Sequence, residues 1–278
     1  MDARPPLEPS PIPADPVLRV TRAGERDDIV VLTLDRPAAL NAIDDALLAA
    51  LHDALDGVEA AATDPMAVRG VVLVGAGGRA FSSGMDLKER ASFDDARLRA
   101  QRTEIVRLVT RVHELPVPVI AGVEGYALAG GFELALACDL IVASRGAVFG
   151  LPEVGVGIFP GGGGTQTLTW LVGPARARDV ILTGRRLTAD EAEAWGVVAR
   201  VVDEGMALEA AVGLATTIGT GAPLGIRAAR RAIAAAHRAL ADGLAQENEL
   251  YETVLVSDDR REGFRAFAEK RPPRFRGR

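Results

Sequence analysis

Residues 117–143 read VPVIAGVEGYALAGGFELALACDLIVA, and how this stretch is read decides the fold. Val117–Val123 is short and wholly apolar, the pattern of a strand covered on both faces. Gly130-Gly131 then opens an apolar helix reaching Cys138, and Asp139–Ala143 is a second buried strand. Buried strands alternating with helices indicate an α/β core.

The alternation continues outward in both directions. Upstream, Ile29–Leu34 is a β-branched strand closed by the turn Asp35-Arg36-Pro37. Asp44 suits the N-cap of a helix over Asp44–Ala61, with Leu47, Leu48, Leu51, Leu55 and Val58 on one stripe. Gly70–Val74 is another apolar strand and runs into the turn Gly75–Gly78. Arg97–Glu114 carries Ile105, Leu108, Val109 and Val112 at helical spacing. Downstream, a helix continues through Leu168 and Leu171, and Val197–Val202 is a fifth strand. From Asp203 to Lys270 strand signals are few, so three or four helices are expected, with turns near Gly221-Ala222-Pro223 and Ser257-Asp258-Asp259. The expected division is a Pro-rich disordered leader over 1–16, a core over 17–202 and a helical region over 203–278.

Composition narrows the function classes. The 278 residues suit one large domain with a modest appendage, and 48% apolar with 25% charged residues excludes wholesale disorder. A net charge of −6 argues against a general nucleic-acid binder. Cys138 is the single cysteine, and His52, His113 and His237 are far apart, so neither a disulfide framework nor a metal centre is expected. The leader has prolines at 5, 6, 9, 11, 13 and 16 and no apolar centre, unlike a targeting peptide. The uncharged run Val154–Ala175 holds seven glycines and two prolines, which does not suit a membrane span. A soluble cytoplasmic chain is expected. The arginines at 271, 274, 276 and 278 suggest a solvated tail, and Arg227, Arg230, Arg231 and Arg238 an exposed helix face.

Three segments carry chemistry. Ala80–Lys88 (AFSSGMDLK) is a small-residue turn after a buried strand, where backbone N–H groups can approach a ligand closely. In Gly125–Asp139 the first N–H groups of the helix at Gly130-Gly131 lack intrahelical partners and can hold an oxyanion. Glu133 sits there among Phe132, Leu134, Ala135 and Leu136, and a carboxylate in an apolar run must be paired, hydrogen-bonded or functional. Glu153 is a second lone carboxylate, ahead of Gly161–Gly164. Those four glycines lack the Gly-Lys-Ser/Thr ending of a phosphate loop and read as a tight helix entry. Gly75–Ala80 fits GxGxxG/A after a strand, but a dinucleotide site requires a helix to begin there. No GxSxG occurs, and Cys138 reads as core.

Together, in this order and spacing, the three segments resemble the enoyl-CoA hydratase/isomerase (crotonase) family. Arg36–Ala42 (RPAALNA) is similar to its early CoA-contact loop, Ala189–Val198 to its A-x-E-A…G-L-V segment, and Phe267–Pro272 to its E-K-R-x-P ending. The resemblance spans about Val17 to Arg278. It implies a spiral of stacked ββα units building two sheets, then a C-terminal helical trimerisation region, with homotrimers or hexamers made of two trimers. It implies an acyl-CoA thioester as substrate, with no separate cofactor, metal, nucleic acid or membrane partner. Met85 and Gly130 would supply the oxyanion-hole N–H groups, and Glu133 and Glu153 the catalytic carboxyls of a hydratase. Arg36, Ala38, Leu40, Ala80, Ser82, Asp86, Leu87, Lys88 and Lys270 would contact substrate or CoA. Ala38 stands where a basic residue is frequent, and Ala129 replaces the first glycine of the usual triplet, which requires that its φ be negative. An isomerase of the same fold is the alternative. A dinucleotide-dependent oxidoreductase and a helical scaffold remain the readings from other classes.

Overall fold

In the computed structural model, residues 16–235 and 257–278 are described. The leader, apart from Pro16, and Arg238 lie outside them. Two sheets organise the chain. The larger has six strands in the order β1 (Leu18–Ala23), β2 (Ile29–Leu34), β3 (Gly70–Gly75), β5 (Val119–Val123), β7 (Leu140–Ser144) and β10 (Arg200–Val202). The smaller has four, in the order β4 (Ala80–Ser82), β6 (Tyr126–Leu128), β8 (Val148–Gly150) and β9 (Arg186–Thr188). Pairing is parallel except for β1 with β2 and β8 with β9.

A repeated unit generates both sheets. β3, β5 and β7 each enter the large sheet, and the strand that follows each of them (β4, β6, β8) enters the small one. A helix then closes each unit: α3 (Asp95–Glu114) after β4, with the short α2 (Leu87–Arg90) before it, α4 (Gly130–Leu136) after β6, and α5 (Gly164–Thr183) after β8. The second strands are three residues long, too short to show periodicity, which is why none of them was expected from sequence. β1 was also not foreseen. It is an edge strand with four successive exposed residues and no alternation.

Side-chain alternation along the central strands buries both faces of the large sheet. Val30, Leu32 and Leu34 point into the main core with α1 (Asp45–Ala61), while Ile29 and Val31 face the other way, against α7 (Ala207–Ile218). α1 begins as expected, the Asp44 carboxylate accepting the Leu47 N–H. α5 is interrupted at Gly173, whose φ of 79° and ψ of 162° are non-helical. α6 (Ala189–Ala194) starts from a Thr188/Glu191 capping box. α8 (Pro223–Ala234) and α9 (Asp258–Ala268) follow α7.

Expectations about the arginines are corrected in part. Arg230 is not on an exposed face: its guanidinium pairs with Asp139 and donates to the carbonyls of Leu115, Val112 and His113, closing the end of α3. Arg227 is half-buried as well. Among the C-terminal arginines, Arg274, Arg276 and Arg278 are exposed as expected, and Arg271 is half-buried. Arg271 pairs with Glu262 and Glu269, and the buried Asp259 accepts the Arg276 and Gly277 N–H groups.

Candidate active site

Three loops meet where the two strand layers diverge, and hydrogen bonds lock them together. The segment after β2 is fastened to the segment after β4: Ser83 N–H donates to Leu40 O, Ile43 N–H to Gly84 O, Asp86 N–H to Ile43 O, and Ser82 Oγ to Asn41 O. The segment after β6 packs on them from the other side. A Cβ on Gly84 would stand 2.9 Å from Ala129 Cβ and 3.0 Å from Gly130 N, so only glycine permits this approach, at a φ of +91°.

This close packing juxtaposes Met85 and Gly130. A Cβ on Gly130 would lie 3.8 Å from Met85 N. Gly84 N–H donates to Ser82 Oγ and Asp86 N–H to Ile43 O, whereas Met85 N–H, between them, has no acceptor among the described residues. Gly130 is the first residue of α4, where no intrahelical acceptor exists, and its N–H is likewise without a partner among them. Two donors without partners among the described residues thus lie side by side.

Ala129, which precedes Gly130, does not meet the condition set for it from sequence. Its φ is +50° and ψ −130°, a glycine-type conformation in a residue with a Cβ. Strain of roughly 1–3 kcal/mol is expected at such a position. Contacts on both sides impose it, since Ala129 N–H donates to Gly150 O and Ala129 O accepts from Glu133 N–H.

Both glutamates are buried, Glu133 at 4% and Glu153 at 7% exposure, yet their surroundings differ. Glu133 sits in the first turn of α4, held by the Phe132–Phe149 ring contact (5.2 Å between centroids) that ties α4 to β8. Its Oε1 accepts the Gly162 and Gly164 N–H groups at 2.8 Å each. Burial pushes its pKa up, while those two N–H groups and the positive charge of Arg102 pull against the rise. Glu153 opens a 3₁₀ turn, Glu153–Val156, just past β8. Its Oε2 is buried without a hydrogen-bond partner. Burial pushes its pKa up to about 7, and the charge on Glu133 adds to the rise, which puts each carboxyl in the other's field.

The remaining expected contact residues fall into four groups. Ala80 and Ser82 are buried and serve the loop junction. Ala38, Leu87 and Lys88 are exposed and Leu40 half-buried, all on the rim of that junction. Lys270 follows α9, exposed, with a φ of 53°. Arg36 and Asp86 are bound to each other at 3.0 Å, and Arg36 also reaches Asp44 at 3.0 Å and Ala42 O at 2.5 Å. With two carboxylates matching it, the Arg36 guanidinium carries little free charge for a phosphate. Burial raises the Asp86 pKa, but the Arg36 hydrogen bond and the Glu89 and Lys88 N–H groups outweigh it and hold the carboxyl below its ordinary range.

Several contributors escaped the sequence reading. Asn41, fully buried at a φ of 53°, accepts Arg36 N–H and donates to Ala76 O and Ala80 O, fastening β2 to the turn before β4. An asparagine amid small residues, with its tolerance of left-handed backbone, was the available signal. Gly162 and Gly164 do more than admit a helix: they orient Glu133. A Cβ on Gly162 would fall 2.8 Å from Glu133 Oε2. The GxGxxG/A pattern has no such role, because the chain enters β4 directly after Arg79 rather than a helix. Burial pushes the Cys138 thiol far up, in keeping with a core residue.

Residues 24–278 match the family model described as enoyl-CoA hydratase/isomerase. The 2,3-dehydroadipyl-CoA hydratase of Escherichia coli K12 is 42% identical over 252 residues, covering 90% of this chain and 96% of the relative. An enoyl-CoA isomerase/hydratase of Zymoseptoria tritici is 40% identical over 263 residues, covering 90% and 84%. Among solved structures, the enoyl-CoA hydratase of Bacillus anthracis superposes with a TM-score of 0.90 at 39% identity, covering 94% of this chain and all of the other.

Proposed function

The chain belongs to the enoyl-CoA hydratase/isomerase family, and on that footing we propose that it is a hydratase adding water across the 2,3-double bond of a 2-enoyl-CoA thioester. The reaction builds negative charge on the thioester oxygen as water attacks C3. Met85 and Gly130 N–H groups, both without acceptors among the described residues, receive that oxygen; one such donor is worth about 10²–10³ in rate. The enolate then takes a proton at C2.

The observation that carries this reading is the asymmetry of the two carboxyls. Glu133, accepting two backbone N–H groups, is the one favoured as an anion, and it orients the water and takes its proton. Glu153, whose Oε2 lacks a partner and whose pKa lies near 7, holds the proton delivered to C2. Two buried carboxyls supplied with different hydrogen-bond donors can divide acid and base between them. After one turnover the water proton rests on Glu133 and Glu153 is ionised, and proton exchange restores the starting state. CoA would lie along the rim formed by Ala38, Leu40, Leu87 and Lys88, and the helices after residue 203 would support a trimer or a pair of trimers.

Absorbance measurements on matched 2-enoyl and 3-enoyl thioesters test this. Hydration of crotonyl-CoA is expected to fall roughly 100-fold or more in Glu133→Gln, with CoA binding retained. Turnover confined to double-bond migration in the 3-enoyl substrate would replace hydratase by isomerase, and undiminished hydration in Glu133→Gln would remove the mechanism.

A further inference from the structure

α3 carries five arginines, and four of them are ion-paired: Arg97 with Asp45, Arg99 with Asp95, Arg107 with Glu104, and Arg111 with Asp56 and Glu59. Arg102 differs. It is exposed and has neither an ion pair nor a hydrogen bond among the described residues. Its place is not arbitrary. A Cβ on Gly161 would lie 3.3 Å from Arg102 Nε, and a Cβ on Gly163 would lie 3.7 Å from Val109 Cγ1. The glycine loop therefore runs along α3 from Arg102 to Val109, two helical turns on the same face. The same loop donates Gly162 N–H to Glu133, and the charge of Arg102 is felt there. A lone guanidinium thus stands at the outer edge of the loop that holds a catalytic carboxyl.

In the hydratase reading, a thioester oxygen at Met85 and Gly130 with C3 beside Glu133 would send the acyl chain past Glu133 toward this loop. We propose that Arg102 is a specificity residue that binds the terminal carboxylate of a dicarboxylic acyl-CoA. A methyl-ended chain brings no partner for the guanidinium, whereas an ω-carboxylate completes an ion pair that the described residues leave open. The inference rests on the orientation of substrate in the hydratase reading, and its test is separable from that reading because it measures binding.

Isothermal titration of the full-length protein with hexanoyl-CoA and adipyl-CoA, equal in length and both saturated, isolates the terminal group. Adipyl-CoA is expected to bind about tenfold more tightly, the low end for a charge-assisted hydrogen bond because the site is open to water. The preference should vanish in Arg102→Met, persist in part in Arg102→Lys, and weaken with salt. Equal affinities in the unaltered protein, a preference that survives Arg102→Met, or an equal loss for both ligands would overturn the proposal. If the preference stands while neither matching 2-enoyl thioester is hydrated, the hydratase reading falls and this assignment survives.

Discussion

Glutamine at position 153 keeps the size of the side chain and removes its titration, so Glu153→Gln probes what the site demands of this residue. Burial holds Glu153 at about 7, against 4.5 for an ordinary glutamate. Between those values the folded chain keeps a proton that the unfolded chain has released. Stability therefore falls as pH climbs from about 4.5 to about 7, and the full loss is present above that window. At about 1.4 kcal/mol for each tenfold change in proton affinity, the loss is on the order of 3 kcal/mol. Glutamine escapes this cost. At about pH 8 the variant should be more stable by roughly 2–3 kcal/mol, raising Tm by about 4–12 °C for a chain of this size, and the gain should disappear near about pH 4.5. Activity should move the opposite way. Hydration of crotonyl-CoA should drop by roughly 100-fold or more, and the alkaline limb of kcat/KM, centred near 7 in the unaltered protein, should be absent from the residual activity. Thermal unfolding at the two pH values and a kcat/KM profile check both halves. A variant no more stable at alkaline pH, or a limb near 7 that persists in it, would refute the assignment of Glu153 as a buried, protonated acid.

Ala129→Gly should stabilise the fold by about 1 kcal/mol, since relief of roughly 1–3 kcal/mol of strain exceeds the roughly 0.4–1 kcal/mol added to unfolded-chain entropy; denaturant melts read it. Gly162→Ala places a methyl 2.8 Å from Glu133 Oε2, so the carboxylate must move, and kcat should fall at least about tenfold while Tm shifts by only a few degrees. Arg36→Met leaves Asp44 and Asp86 without their shared cation, and it should loosen the loop junction by about 1–3 kcal/mol and raise KM for the CoA ester more than it lowers kcat. Native mass spectrometry should find three or six copies, and a monomer would contradict the oligomer proposed for the C-terminal helices.

The legible parts of the fold were those in which one segment satisfies its own physics. Ile29–Leu34, Gly70–Gly75 and Val119–Val123 announce themselves because a strand buried on both faces must be apolar throughout, and α1 does so through Asp44 and its leucine stripe. Glu133 and Glu153 stood out for the same reason, as carboxyls that an apolar run does not need. The strands of the small sheet did not, because three residues such as Ala80–Ser82 become a strand only when a partner strand supplies the pairing.

The sequence alone therefore determined the layered α/β plan, the buried glutamates and the positions where backbone must approach closely. Tertiary structure decided what those groups feel. Whether a buried carboxyl is an acid or a base depends on donors brought from elsewhere in the chain: Gly162 and Gly164, about thirty residues downstream, reach Glu133, and no donor from another residue reaches Glu153 Oε2. It likewise took folding to set Arg36 between two carboxylates, to force Ala129 into a glycine's conformation and to leave Arg102 without an ion pair among the described residues. Composition and local pattern fix which polar groups are buried, but hydrogen bonds and fields act over a few ångströms of space whatever the distance along the chain, so only the fold assigns their partners.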